Sequence, residues 1–172
     1  MGGTLRSDRS RPVVVSGPSP RTRRVAGRIL RSPAALDRRG LRWLYRVISP
    51  APIVVLVHRG RRSGNTYKTP VEALSQDEDQ IVVAPMWGTN SHWYRNILAG
   101  GLVEVHARGE ERQVEWKRLS EEEAREANAA YLRDHPIYGR MILRMLMWVH
   151  DLDGDPVEAV ARGVPALALR RV

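Results

Sequence analysis

The chain has 172 residues, 42% of them hydrophobic, which suits one domain with a proper core. It has no cysteine, which excludes disulfides and thiolate metal sites and leaves redox chemistry to a borrowed cofactor. The net charge is +9, but residues 1–50 hold 12 of the 28 Lys and Arg and only two of the 19 Asp and Glu, so the remainder is close to neutral. A nucleic-acid-binding domain carries its charge on the folded part, so this division argues against one.

Residues 1–32 are rich in Arg, Ser, Pro and Gly and predict a disordered basic leader. They contain no apolar stretch before a small-residue cleavage site, so they do not read as a secretory signal. No run is long enough for a transmembrane helix, and the expectation is a cytoplasmic protein. Residues 33–52 predict a basic amphipathic helix. Leu36, Leu41, Leu44, Tyr45 and Ile48 share one face, four arginines fill the other, and Pro50 and Pro52 end it. Two readings stay open: the stripe packs on its own domain, or residues 1–48 contact the inner face of a membrane.

From residue 53 the pattern turns to strands: "IVVLVH", "TYKTPVEAL", "QIVVAPM", "LVEVHA", "RQVEWKR" and finally "GVPALALRRV". The fourth and fifth flank "RGEE" and predict a hairpin. Helices interrupt them. "SHWYRNILA" is short, with Ser91 as a candidate cap. Ser120 and Glu123 form a capping box before "EEEAREANAAYLRDH". "PIYGRMILRMLMWVH" follows, and Asp155 with Pro156 starts a last short helix. Turn spacing of this kind favours an antiparallel sheet or barrel over βαβ units. The expected fold is α+β, mainly antiparallel: a split β-barrel over 53–172 with a helical insert around 120–150.

The five histidines show no metal-ligand spacing, and there is no nucleophile elbow, Walker loop or Rossmann fingerprint. "DLDGDP" fails as a calcium loop, because its glycine falls too early and Arg162 stands where the loop glutamate belongs. Two stretches remain. In "VHRGRRSGNTYKTP", Arg61 and Arg62 offer guanidinium forks, Ser63 a hydroxyl, and Gly64 lets an anion approach the backbone. Lys68 and Thr69 follow on the next strand. In "VAPMWGTNSHWYRNI", Trp87 and Gly88 offer a flat face and free backbone, and Trp93 and Tyr94 add aromatic area. Taken singly, each aromatic is equally a core anchor. Taken together, the stretches describe a groove that attracts an anion at one end and a ring at the other.

At "GRRSGNTYKTP" (60–70), "VVAPMWG" (82–88) and "HWYRNILAGGLVEVHARG" (92–109) the chain resembles the deazaflavin-dependent nitroreductase family. These are split β-barrel oxidoreductases that use coenzyme F420. The agreement in order and spacing covers roughly residues 53–118, and "HPIYGR" and "VPALAL" stand where that family has a substrate-side helix and its last strand. The resemblance implies that Arg61, Arg62, Ser63 and Gly64 hold the phosphate and acidic tail of the cofactor. Lys68 lies beside them, and Thr69 and Pro70 line the groove. It implies that Met86, Trp87 and Gly88 present backbone to the deazaflavin ring, although the family commonly has a lysine and two glycines in this loop. Trp93, Tyr94 and Asn96 would border the cofactor, and Tyr138 would lie on the substrate side. Hydride would then pass from reduced F420 to a hydrophobic acceptor: a quinone, an enone or a nitroaromatic. FMN on the same fold, a homodimer, and a non-catalytic membrane or nucleic-acid binder acting through the leader are the rival or additional expectations.

Overall fold

A computed structural model describes residues 49–172; the leader and the helix expected before residue 49 lie outside them. Seven strands form one antiparallel sheet in the order β5-β4-β1-β2-β3-β7-β6. They are β1 (Ile53–Arg59), β2 (Thr66–Gln76), β3 (Gln80–Val83), β4 (Leu102–Ala107), β5 (Glu110–Arg112), β6 (Val114–Arg118) and β7 (Leu167–Arg171). β6 returns to touch β4, so the sheet nearly closes into a barrel. This is the split-barrel α+β architecture the strand pattern predicts.

Strand β2 joins the two halves. Its residues 66–72 pair with β1, and Ala73, Ser75 and Gln76 pair with β3 across a register shift. Because side chains alternate along a strand, β2 serves two cores. Val71 and Ala73 point into the barrel, where they join Val54, Leu56, Val83, Val105, Leu167 and Leu169. Leu74 points outward to Val82, Ala124 and Tyr131 under the helices.

Four α-helices among the described residues accompany the sheet: α1 (His92–Leu98), α2 (Glu121–Asp134), α3 (Pro136–His150) and α4 (Pro156–Gly163). α1 plugs one end of the barrel with Trp93, Tyr94 and Ile97. α2 starts at the capping box its sequence announces: Ser120 Oγ accepts from the Glu123 N–H at 3.2 Å, and the Glu123 carboxylate accepts from the Ser120 N–H at 2.8 Å. α3 and α4 share a satellite core of Leu143, Leu146, Val160 and Val164. Asp155 caps α4 through the Val157 and Glu158 amides.

Two local expectations are corrected. Ser91 precedes α1 without capping it through its side chain. A short 3-10 turn, Gly88–Asn90, runs directly into the helix, and the Ser91 N–H bonds back to Gly88 O. "RQVEWKR" is not one strand of a hairpin. It divides at Gln113, β5 pairing with β4 and β6 with β7. The alternation continues across the break, so the change of partner leaves no mark in the pattern.

Candidate active site

The turn between β1 and β2 is built by glycine. A side chain at Gly60 would lie 2.6 Å from Ser63 Oγ, and Gly64 adopts φ +68° with open space around it. The turn closes through Gly60 N–H to Asn65 O and Gly64 N–H to Gly60 O, both 2.8 Å. Arg61, Arg62, Ser63 and Gly64 are all exposed. The side chains of Arg59, Arg62 and Lys68 have no hydrogen bond or ion pair among the described residues, and that of Arg61 meets only a neutral amide. The turn therefore concentrates positive charge with no described carboxylate to balance it, which is the electrostatic requirement for holding an anion.

Arg61 is fixed in place. Its backbone N–H and its Nη1 donate to Asn96 Oδ1 at 3.2 and 3.0 Å. Asn96, 5% exposed, lies 3.1 Å from His58 Nδ1 through its Nδ2, and His58 Nε2 lies 3.0 Å from Thr69 Oγ1. His58 is 2% exposed and stacks on Tyr67 at 5.9 Å. Burial holds its pKa below the usual histidine value, because the interior disfavours the imidazolium. Glycine again sets the geometry: Gly101 N–H bonds to Asn96 O, and its carbonyl accepts from Arg59 N–H at 2.6 Å. A Cβ at Gly101 would lie 2.6 Å from Arg59 O and 2.7 Å from Asn96 O, so only glycine lets α1 sit this close to β1.

The outer face of β2 carries a second cluster. Glu72 accepts from Tyr138 Oη at 2.8 Å, from Ser49 Oγ at 2.9 Å and from Tyr131 Oη. Tyr131 is fully buried. Burial first, then its hydrogen bond to the Glu72 carboxylate, raises its pKa far above the normal phenol range, so it is a permanent donor. Lys68 and Pro70 alternate onto the same face as Glu72, while Thr69 faces inward with His58.

The ring loop differs from expectation. His150, at the end of α3, donates from Nε2 to Met86 O at 2.9 Å. Its imidazole lies against Gly88, where an added Cβ would be 2.8 Å from Cε1. The Met86 carbonyl and the Gly88 surface are thus already engaged, and Trp87 alone stays half-exposed without such a contact. Trp93 and Tyr94, 9% and 1% exposed, are barrel core, so their rings serve packing and only Asn96 reaches the turn from α1. His58, Glu72 and His150 are the residues the sequence did not single out. Each takes its role from a partner many positions away. A cavity of about 460 Å³ between α2 and the start of α4 shares no residue with these clusters.

The turn thus fits the anionic part of a deazaflavin cofactor by its unbalanced charge and open Gly64. A family model described as F420H(2)-dependent quinone reductase matches residues 34–145. A Mycobacterium tuberculosis (strain ATCC 25618 / H37Rv) protein named for F420H(2)-dependent quinone reductase activity is 38% identical over 50 residues, 28% of this chain and 42% of that protein. The chain therefore spans under half the length of that relative. Among solved structures, an F420-H2 dependent reductase (FDR-A) has TM-score 0.48 at 18% identity, covering 69% of this chain and 94% of its own. Another, described as a domain-swapped dimer, has TM-score 0.47 at 16% identity, covering 81% and 100%. The matched family is named for quinone rather than nitro-compound reduction. Since its model covers well over half of the sequence, including the basic turn, the ring loop and Tyr138, this chain belongs to the F420H(2)-dependent quinone reductase family of oxidoreductases.

Proposed function

We propose that the chain binds reduced F420 and passes its hydride to a quinone-type acceptor. The observation that carries this reading is the uncompensated basic turn, held rigid by Asn96, in a chain of this family. Arg62, the Ser63 hydroxyl and the backbone at Gly64 would hold the cofactor's acidic tail, with Arg61 fixed beside them. Bound F420 supplies the hydride, and the protein supplies position and electrostatics.

Reduction of a quinone consumes a proton as well as a hydride. On the face of β2 assigned to the acceptor, Tyr138 is the proton-bearing group, steered by Glu72. Lys68 and Pro70 on the same face complete the acceptor side. Enones and nitroaromatics are further candidate acceptors of the same polarity. Nothing in the family match favours FMN.

A fluorescence titration of the purified chain with F420, run beside FMN, tests the reading. Saturable binding of F420 alone is expected, followed by quinone-dependent oxidation of the reduced cofactor. Binding of FMN alone, or of neither, overturns it.

Contact of residues 1–48 with an anionic membrane surface belongs to the same proposal, since it would bring the enzyme to lipid-borne quinones. Among the described residues no helix is long and apolar enough to cross a membrane. Deleting residues 1–32 should abolish co-sedimentation with anionic vesicles and leave F420 binding intact. Undiminished sedimentation of the shortened chain would remove the anchoring idea.

A further inference from the structure

We propose that His58 and Asn96 are positioning residues for the anion-binding turn. The buried imidazole keeps the Asn96 amide with its oxygen, not its nitrogen, towards Arg61. The inference rests on the anion-holding role given to this turn above, and it deepens that role.

Every proton in the network can be assigned from Arg61. An arginine guanidinium and a backbone N–H have only donors to offer. The Asn96 atom facing both, at 3.0 and 3.2 Å, must therefore be the oxygen. The amide nitrogen then faces His58 Nδ1 at 3.1 Å, so that ring atom must be an unprotonated acceptor. The ring proton sits on Nε2 and is donated to Thr69 Oγ1 at 3.0 Å. Thr69, having accepted, keeps its own hydroxyl hydrogen for a group outside the network. The four residues thus form one directed chain, Arg61 to Asn96 to His58 to Thr69. It ties a surface turn to β1, β2 and α1.

A single proton on Nδ1 breaks this chain. Two donors would then face each other at 3.1 Å, or the amide would turn over and set its NH2 against the donors of Arg61. Either change releases Arg61 from its anchor. The groups packed on His58 cannot absorb the charge. Tyr67 and Thr69 face it from β2, Asn96 from α1 and, through Asn96, Arg61 from the turn. Its β4 register partner is Leu102. Glu104 opposes Val57, and Lys68 pairs with it too, so both lie on the opposite face of the sheet. No described carboxylate is bonded to the imidazole. Burial keeps the ring neutral at neutral pH, which is the state the turn requires.

The test uses the full chain with sulfate, which stays dianionic over the whole pH range, and F420 in parallel. Sulfate binding is followed by NMR at constant ionic strength, and His58 ring resonances report its own protonation. Wild type should show the Nε2–H form, bind sulfate at the turn, and lose roughly tenfold in affinity as His58 titrates, the factor set by one hydrogen bond to a charged group. His58→Asn keeps an acceptor oxygen near the Nδ1 position and cannot titrate. It should bind within about twofold of wild type and show no pH step. His58→Phe, with its fold checked by circular dichroism, should bind roughly tenfold more weakly at neutral pH. The proposal is overturned if His58→Phe matches wild type, if His58→Asn keeps the wild-type pH step, or if sulfate does not bind at the turn. Sulfate binding without F420 binding would instead sink the cofactor reading and leave the positioning role standing.

Discussion

Arg62 is the side chain on which the cofactor assignment turns most directly. It has no partner among the described residues, so replacing it disturbs little else. Arg62→Glu removes a charge-assisted contact and adds repulsion, and F420 binding should weaken by more than about tenfold, read by fluorescence titration. Unchanged affinity would refute the placement of the anionic tail. Tyr138 makes the complementary case. Tyr138→Phe should leave F420 affinity intact and slow quinone reduction roughly 10- to 100-fold, the range of a lost proton-transfer group. A rate equal to wild type would remove Tyr138 from the acceptor side. Residues of the two kinds were unequally visible in the sequence. The arginines and Gly64 advertise themselves through residue type at a bend. His58 does not, because an imidazole ending an apolar strand reads equally as core. Its meaning comes from Asn96, 38 positions away.

At the scale of elements, the glycine that matters most is Gly101. It is exposed to no special backbone angle, yet a methyl there would collide with two carbonyl oxygens, those of Arg59 and Asn96. Gly101→Ala must push α1 away from β1. Overpacking of this kind costs about 1–3 kcal/mol, so thermal denaturation should show a midpoint several degrees lower. Because Asn96 moves with α1, anion affinity should fall at the same time. A stability loss with unaltered affinity would show that α1 and the turn are not coupled. Helix starts were well marked in the sequence, since Ser120 with Glu123 and Asp155 with Pro156 act locally. The His150 contact with Met86 and Gly88 was not, because it joins residues more than 60 positions apart. The Met86–Gly88 backbone expected to face a ring is therefore engaged on that side by the end of α3.

For the whole molecule, acid is the informative variable. His58 has a folded pKa below its ordinary value near 6.5. As pH falls through about 6.5, the unfolded chain takes up a proton that the folded chain refuses, so stability declines. The decline ends once pH passes the lower, folded pKa. Glu123 adds a second step. Its bond from Lys117 first, and then from the Ser120 N–H, lowers its pKa from 4.5 to about 2, so its stabilisation is lost as pH falls from 4.5 towards 2. Urea unfolding measured from pH 7.5 downwards should show both losses, and His58→Asn should lack the first. A profile flat between pH 7 and 5 would contradict the buried neutral imidazole. The architecture as a whole was legible because alternation and turns recur along 53–118. The two-sided role of β2 was not, since alternation shows that a strand has two faces but not what each will meet.

That two-sidedness has a practical consequence. Along β2, odd-numbered positions 67, 69 and 71 look towards the network and the barrel, while even-numbered 68, 70 and 72 share the other face, where Glu72 meets Tyr138. Anchoring and substrate range would then be encoded on interleaved positions of one short segment. A library confined to the even set would leave the His58–Thr69 network untouched, whereas one inserted residue would exchange the two sets and forfeit both.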